Sequence, residues 1–401
     1  MLLYPLISRL VFGLWKTLAS KKSWISKVSA DDQWKKQPPL EGRVIWMHCA
    51  SLGEFEMGRP ALELFLDRNP DWNALVTFFS PSGFEPRKNY SRAKVHYLPL
   101  DTPSEARRWQ QYCNPSLAVF IRYDLWPNHL AALKKAKVPV AVIAFVAAKD
   151  PWYLKPHFPL IRRLFMRSIS FWGTVREEDS ARLSALGVYS EVLGNPKYDY
   201  AARTMGSEVP EHLLSWKVAQ SKPILLIGSA HKGDVVWVSR VQEAQEYSIW
   251  IVPHELAEAP TLAASFEWTG KKAKYSTIDQ PVDADVLVVN EFGVLSALYG
   301  IADAVVIGGG FGKATHNVLE ATIKGKVAAC GPNWALMPEN TELVKRQYLM
   351  PGHTVEHLQS YLNSAQKGEL SERGKKAQQW LLQGQGASEK IVVALEEAVE
   401  L

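Results

Sequence analysis

The chain has 401 residues, more than the roughly 100 to 200 of a single domain, so two domains of similar size are expected. Its 47% apolar and 22% charged residues are ordinary globular values, and a formal charge of +5 with no basic stripe interleaved with stacking aromatics argues against nucleic acid as a partner. Cys49, Cys113 and Cys330 lie far apart without metal-ligand spacing, which argues against a disulfide framework and against a structural zinc.

Residues 1–27, MLLYPLISRLVFGLWKTLASKKSWISK, are apolar from Leu2 to Ala19 but carry Arg9 and Lys16. Seven residues apart, these two share one helical face, and Lys21, Lys22 and Lys27 follow. A spanning helix needs ~20 apolar residues with few charges. A basic face, Trp anchors and an opposite apolar face instead describe a helix lying in a membrane surface, which would put the body on the basic, cytoplasmic side; the alternative is a helix packed on the protein's own surface. Beyond residue 40, short continuous apolar runs alternate with helical patterns. RVIWMHC, NALVTFFS, KVHYLPL, LAVFI, VPVAVIAF and SFWGTV come first; PILLIGS, SIWIVP, DVLVVN, AVVIGGG and KVAACGP come later. Such runs are expected of strands buried on both faces of a parallel sheet, and their number predicts an α/β chain of two Rossmann-like halves. Gly194, Pro196, Gly206 and Pro210 punctuate the seam. The expected organisation is a membrane-anchoring helix over 1–27, domains over 28–200 and 201–375, and a helical segment over 376–401.

Ligands bind outside the carboxyl ends of parallel strands, and three groups of residues fall there. In CASLGE, Glu54 opens a helix directly after the first strand. A carboxylate so placed can take a proton from a substrate hydroxyl; it can equally cap the helix, as first-turn acids often do. Glu56 and Glu63, further along, read as solvated or buttressing. In AVVIGGGFGKATHNVLEA, Gly308, Gly309 and Gly310 end a strand, and a helix is expected from about His316 and Asn317, so that His316 and Glu320 share a face. Backbone N–H groups there, with Lys313 and His316, suit a phosphate. The run lacks the Lys-Ser/Thr pair of a Walker loop and does not match GxGxxG. GSAHKGD and VPHEL each follow a strand, which should bring Ser229, His231 and His254 to the same crevice. DAD at Asp283–Asp285 precedes its strand and reads as a polar turn.

HCASLGE, TFFSPSG, YLPLD, DLWPN, REEDSARLSALG, GNPKYD, GSAHKGD, PHE and GGGFGKATHNVLEA occur in this order along nearly the whole chain. The chain thereby resembles the Kdo (3-deoxy-D-manno-octulosonic acid) transferases of lipopolysaccharide biosynthesis. The resemblance implies a glycosyltransferase of type B fold, two Rossmann-like domains facing a cleft, that moves Kdo from CMP-Kdo to the lipid A precursor (lipid IVA) with inversion. It implies Glu54 as the general base, and Ser229, His231, His254, Gly308, Gly309, Gly310, Phe311, Gly312, Lys313, His316, Asn317 and Glu320 as the donor site. Ser51, Gly53, Ser82 and Asp124 fall to the acceptor. No obligatory metal or other cofactor is implied, since N–H groups and cationic side chains can stabilise a departing CMP, and the place of work would be the cytoplasmic face of the inner membrane. Three departures from the family pattern stand out: Arg122 replaces a glutamate, Val294 interrupts a Gly-Glu-Leu, and 144–150 lacks an arginine. The alternatives are another sugar-nucleotide enzyme of the same architecture, such as an epimerase or a lipid glycosyltransferase, and a non-catalytic lipid- or nucleotide-binding protein at the membrane. Replacing both Arg9 and Lys16 with Glu is expected to lower recovery of the protein in sedimented membranes, because the interfacial segment loses its attraction to anionic headgroups; unchanged recovery counts against that segment.

Overall fold

A computed structural model of the protein describes Tyr4 and residues 33–147, 159–268, 271–272, 275–276 and 284–400. Apart from Tyr4, the expected interfacial segment lies outside the described residues. No helix among them is long and apolar enough to cross a membrane. The chain forms two units, Met1–Tyr200 together with Gly384–Leu401, and Ala201–Gln383.

In the first unit the apolar runs form β1 (Arg43–Cys49), β2 (Trp72–Phe78), β3 (Lys94–Tyr97), β4 (Leu117–Ile121), β5 (Val140–Phe145), β6 (Phe171–Thr174) and β7 (Glu191–Val192). Helices α1 (Leu52–Arg68), α2 (Pro81–Arg87), α3 (Pro103–Cys113), α4 (Pro127–Lys135), α5 (Pro159–Ser168), α6 (Glu177–Ser184) and α7 (Pro196–Arg203) follow them in turn. The sheet runs β3-β2-β1-β4-β5-β6-β7 with every pair parallel. Both faces of β1 are covered, which is why its sequence does not alternate. Val44 and Trp46 join Trp109 and Phe120 on one side, whereas Ile45, Met47 and Cys49 join Phe55, Leu62 and Phe65 of α1 on the other. Gly58 allows α1 to lie close against the sheet, since a Cβ there would stand 2.8 Å from Ile121 Cδ1.

The second unit repeats the plan. After α8 (Glu211–Ala219) come β8 (Ile224–Ala230), α9 (Lys232–Ser239), β9 (Ser248–Pro253), α10 (Ala259–Ser265) and the short strands β10 (Glu267–Trp268), β11 (Lys271–Lys272) and β12 (Tyr275–Ser276). Then follow β13 (Val286–Val288), α11 (Leu295–Ile301), β14 (Ala304–Ile307), α12 (Leu319–Ile323), β15 (Ala328–Cys330), α13 (Pro338–Lys345), β16 (Leu349–Pro351), α14 (Val355–Gln366) and α15 (Glu369–Gln383). Its parallel sheet runs β12-β13-β9-β8-β14-β15-β16, and β10 pairs with β11 in an antiparallel ribbon.

The segment expected as one terminal piece, 376–401, is divided between the units. Helix α15 remains in the second, burying Leu370, Gly374, Ala377 and Leu381 along one stripe. A Cβ on its Gly374 would stand 1.9 Å from the Gly325 carbonyl oxygen, so the helix lies directly on that turn. At Gly386, with φ 102°, the chain breaks away. Helix α16 (Ala387–Glu400) then belongs to the first unit, where Ile391, Val392 and Leu395 enter the core that also holds α1. The Asp199 carboxylate accepts hydrogen bonds from Gly386 N (2.7 Å) and Ser388 N (2.6 Å), satisfying donors that the start of α16 would otherwise leave unpaired. Asp199→Ala is therefore expected to lower unfolding stability by about 1 to 2 kcal/mol, read by urea denaturation, with α16 exchanging its amides ahead of the rest of the unit.

Candidate active site

In a doubly wound sheet the crevice at the carboxyl edge opens where the strand order reverses direction. That point falls between β1 and β4 in the first unit and between β8 and β14 in the second. The residues singled out by sequence gather at these two places.

At the first, the loop after β1 leads through Ala50 and Ser51 into α1. Ser51 is the N-cap residue and Glu54 lies in the first turn, where its Oε2 accepts from the Ala50 N–H at 2.5 Å. Glu54 therefore does cap, as the simpler sequence reading holds, and its environment adds chemistry to that role. Burial, reinforced by the charge of Asp124, raises its carboxyl to about 7, against the opposing effects of the Ala50 N–H, His48 and Arg122. A carboxyl at that value can both take and return a proton near neutral pH.

Asp124 reaches this place through a histidine that the sequence analysis does not select. His48 is buried on β1, with Nδ1 2.9 Å from Thr77 Oγ1 and Nε2 2.9 Å from Asp124 Oδ2. The Trp46 indole N–H donates to the same Thr77 oxygen at 2.9 Å. The Asp124 carboxylate accepts from His48 Nε2–H and from Trp126 Nε1 at 3.2 Å. The loop is fixed from behind by Asp101, whose carboxylate accepts from the N–H groups of Asn128 and His129 at 3.0 Å each, and from Tyr4 Oη at 2.9 Å. Burial holds the Asp101 carboxyl up at about 6. Ser80 N donates to the Ala50 carbonyl at 3.0 Å, bringing the turn after β2 to the same rim. Ser82 is exposed there, 2.9 Å from Ser80 Oγ, and Gly53 is exposed with open space where a Cβ would stand. Arg122 follows β4 directly, buried and with φ 64°. Glu56 is buttressing, as expected, in hydrogen bonds and ion pairs with Arg87 and Arg59.

At the second point, Asp234, also missed from sequence, does the organising. Buried in the first turn of α9, its Oδ2 accepts from His231 N (2.9 Å) and Gly309 N (3.0 Å), joining the turns after β8 and β14. The glycines are required by this packing. A Cβ on Gly308 would stand 2.2 Å from the Ser229 carbonyl oxygen, and one on Gly310 would stand 2.5 Å from Gly331 N. Ser229 itself takes φ 50°. Phe311 packs on Trp237 at 5.2 Å between ring centres, whereas Gly312 and Lys313 are exposed.

The helix expected from about His316 starts later, at Leu319, and is five residues long. The backbone of the preceding residues is engaged elsewhere, with Thr315 N donating to Asn333 O (2.9 Å) and His316 N to Gly308 O (3.0 Å). His316 and Glu320 are thus not partners on one helix face. Asn317 Nδ2 instead donates to Glu320 Oε1 at 2.9 Å, while His316 turns toward His231 and His254. His231 Nε2 and His316 Nε2 lie 2.9 Å apart, and His231 Nδ1 is 3.4 Å from Glu258. Burial, together with His254 and His231, lowers His316 to about 3, leaving it neutral at pH 7; His254 is lowered too, first by burial. The three rings offer nitrogens within 4.8 Å of one another. An ion takes an imidazole along its in-plane lone pair, however, and the His254 and His316 rings stack 4.0 Å apart at 19°, so their nitrogens do not aim at one point. An anion with several oxygens fits this arrangement better, each oxygen taking its own N–H. Asp285 lies 3.4 Å from Lys222 at the exposed opposite end of β13, in keeping with a polar turn; Asp283 lies outside the described residues.

Solved structures share this architecture. A UDP-GlcNAc 2-epimerase from Neisseria meningitidis matches with a TM-score of 0.59 at 14% identity, over 88% of this chain and 99% of its own. A glycosyltransferase from Rickettsia africae matches with a TM-score of 0.58 at 12% identity, over 90% and 99%. In sequence, residues 20–200 match the model of the 3-deoxy-D-manno-octulosonic-acid transferase (kdotransferase) family. The 3-deoxy-D-manno-octulosonic acid transferase of Chlamydophila psittaci is 27% identical over 75% of this chain and 72% of its own length. That of Aquifex aeolicus is 24% identical over 72% and 76%. The protein is a glycosyltransferase of type-B-like fold. More closely, what it is similar to in sequence are the Kdo transferases, the likeness that the motifs also carry.

His48 and Asp234 each had a sequence signal. His48 opens HCASLGE, and Asp234 stands three residues after His231, the spacing of a capping box. If the charge of Asp124 helps to hold Glu54 near 7, Asp124→Asn should let the Glu54 carboxyl titrate at lower pH. Carbon-detected NMR of the side-chain carboxyl reads this directly, and an unmoved titration would mean that burial alone sets it.

Proposed function

We propose that this protein transfers Kdo from CMP-Kdo to the lipid A precursor, lipid IVA, in lipopolysaccharide biosynthesis. The observation that carries the mechanism is the Glu54 carboxyl, half-buried at the β1/β4 reversal and raised to about 7 by desolvation and the charge of Asp124. Glu54 takes the proton of the acceptor hydroxyl as that oxygen attacks the anomeric carbon of Kdo. The bond from that carbon to the CMP phosphate oxygen breaks on the opposite face, which inverts the configuration. The His48–Asp124 pair fixes the rim on which the acceptor lies, with Ser51, Gly53 and Ser82 along its edge.

CMP leaves as an anion and is received in the second unit. There the turn from Gly308 to Lys313, with Ser229, His231, His254, His316, Asn317 and Glu320, supplies N–H groups and polar side chains. The His254 and His316 imidazoles, both lowered by burial, can each donate one hydrogen bond, and a bound phosphate would favour protonation of His316. Charge is thus handled without a metal in this mechanism. The acceptor is an anionic lipid, so the work takes place at the cytoplasmic face of the inner membrane, with residues 1–27 lying in its surface.

The test is transfer from CMP-Kdo, generated in situ, to tetra-acylated lipid A precursor in detergent, followed by mass spectrometry. Glu54→Ala is expected to lose activity by about 10²- to 10⁴-fold. Because the base must be ionised and its carboxyl is raised to about 7, wild-type kcat/KM should climb as pH rises through 7 and then level. A chelator should leave the rate unchanged. Absence of transfer by folded wild type, or a Glu54→Ala variant as active as wild type, would overturn the assignment.

A further inference from the structure

One charged side chain at the first site acts on Glu54 through its field alone. Arg122 directly follows β4 and is 8% exposed. Its Nε has no hydrogen-bond acceptor, and no carboxylate among the described residues pairs with its guanidinium. Asp124, two residues on, is engaged by His48 and Trp126. A buried cation without a partner is costly to the fold. The backbone adds to that cost, since φ 64° is a region that residues with a Cβ beyond Asn and Asp seldom occupy. The position nonetheless lies at the β1/β4 reversal, close enough for its charge to act on Glu54. Its backbone N–H is tied to Ile143 O at 2.9 Å, which holds the residue at the carboxyl edge of the sheet.

We propose that Arg122 is the receptor for an anionic group of a substrate, a carboxylate or a phosphate, bound beside Glu54. A desolvated guanidinium is matched by a group that brings both negative charge and two coplanar acceptors, and carboxylate and phosphate oxygens do so in a fork. A sugar hydroxyl brings neither. Arg122 thus selects for substrates carrying that anion and fixes them relative to Glu54. The candidate sources rest on the Kdo-transfer reading: the carboxylate of Kdo itself, or a phosphate of the lipid A precursor.

The experiment uses the full chain in detergent, with Arg122→Asn and Arg122→Lys. Asn removes the charge while tolerating the left-handed backbone, and Lys keeps the charge without the fork. Trp126 adjoins the site, so tryptophan fluorescence follows titrations with inorganic phosphate and, separately, with Kdo as the unattached sugar acid. Binding of one of these anions should weaken by at least about tenfold in Arg122→Asn and by less in Arg122→Lys. Loss confined to Kdo assigns the carboxylate; loss confined to phosphate assigns the lipid phosphate. The unliganded Arg122→Asn protein should melt at or above the wild-type temperature, because an unpaired buried charge has been removed. Titrations with both anions unchanged in a folded Arg122→Asn overturn the proposal. So does a lowered melting temperature in both variants with Arg122→Lys binding as wild type does, which would make the side chain structural. Neither titration requires turnover, so a protein that failed to transfer Kdo would still give a reading on Arg122.

Discussion

The reversal of strand order between β1 and β4 is the constraint on which the first unit depends. On either side of it the connecting helices cross opposite faces of the sheet, so the turns after β1 and β4 rise at one edge with no crossover above them. His48 spans that gap: it sits on β1, opposite Phe120 of β4 and Thr77 of β2, and holds Asp124 in the turn beyond β4. The Asp124 charge is thereby fixed close enough to bear on Glu54 in the turn beyond β1.

One carboxylate consequently serves two ends. As a helix cap, Glu54 engages the Ala50 N–H, which favours its ionised form. As an acid–base group it is half-buried and faces a like charge, and desolvation with that charge disfavours the ionised form more strongly. The balance lies near neutrality because the hydrogen bond and Arg122 offset part of the desolvation. A site with the cap alone would hold a permanently ionised, weakly basic carboxylate.

Other motif residues prove to be fasteners. Asp101 of YLPLD and Asn128 of DLWPN bind one another, with the Asn128 amide donating to Asp101 O at 2.6 Å. Asp179 of REEDSARLSALG accepts from Ala147 N at 2.9 Å and from Arg176, securing the chain at the end of β5. Asp199 of GNPKYD caps α16. Each is an acid meeting backbone N–H groups that would otherwise be buried unpaired, a requirement of the scaffold independent of any ligand. The glycines of the second unit carry the same lesson: 308 and 310 are small because neighbouring backbone lies against them, and the turn they form leaves the exposed edge at Gly312 and Lys313.

The amino-acid order alone marked the inner strands of both sheets, but not the short edge strands β7, β12 and β16. A strand covered on both faces must be apolar throughout, so RVIWMHC and LAVFI were legible as parallel strands from local composition. Position after a strand placed Glu54, His231, His254 and Gly308 at the carboxyl edges, and family likeness named the chemistry. Partners decided only by long-range packing were not legible. His48 and Thr77 are 29 residues apart and meet through parallel register, and His48 and Asp124 are 76 apart and meet across the reversal. The start of α12 was misplaced because N–H groups near His316 found carbonyls at Gly308 and Asn333, bonds that no local propensity contains. The division of 376–401 likewise depended on which core could bury each helix stripe. Local sequence sets backbone preference and periodicity, whereas burial and the charges brought near by folding set a carboxyl's proton affinity and leave the Arg122 guanidinium without a hydrogen-bonded carboxylate among the described residues.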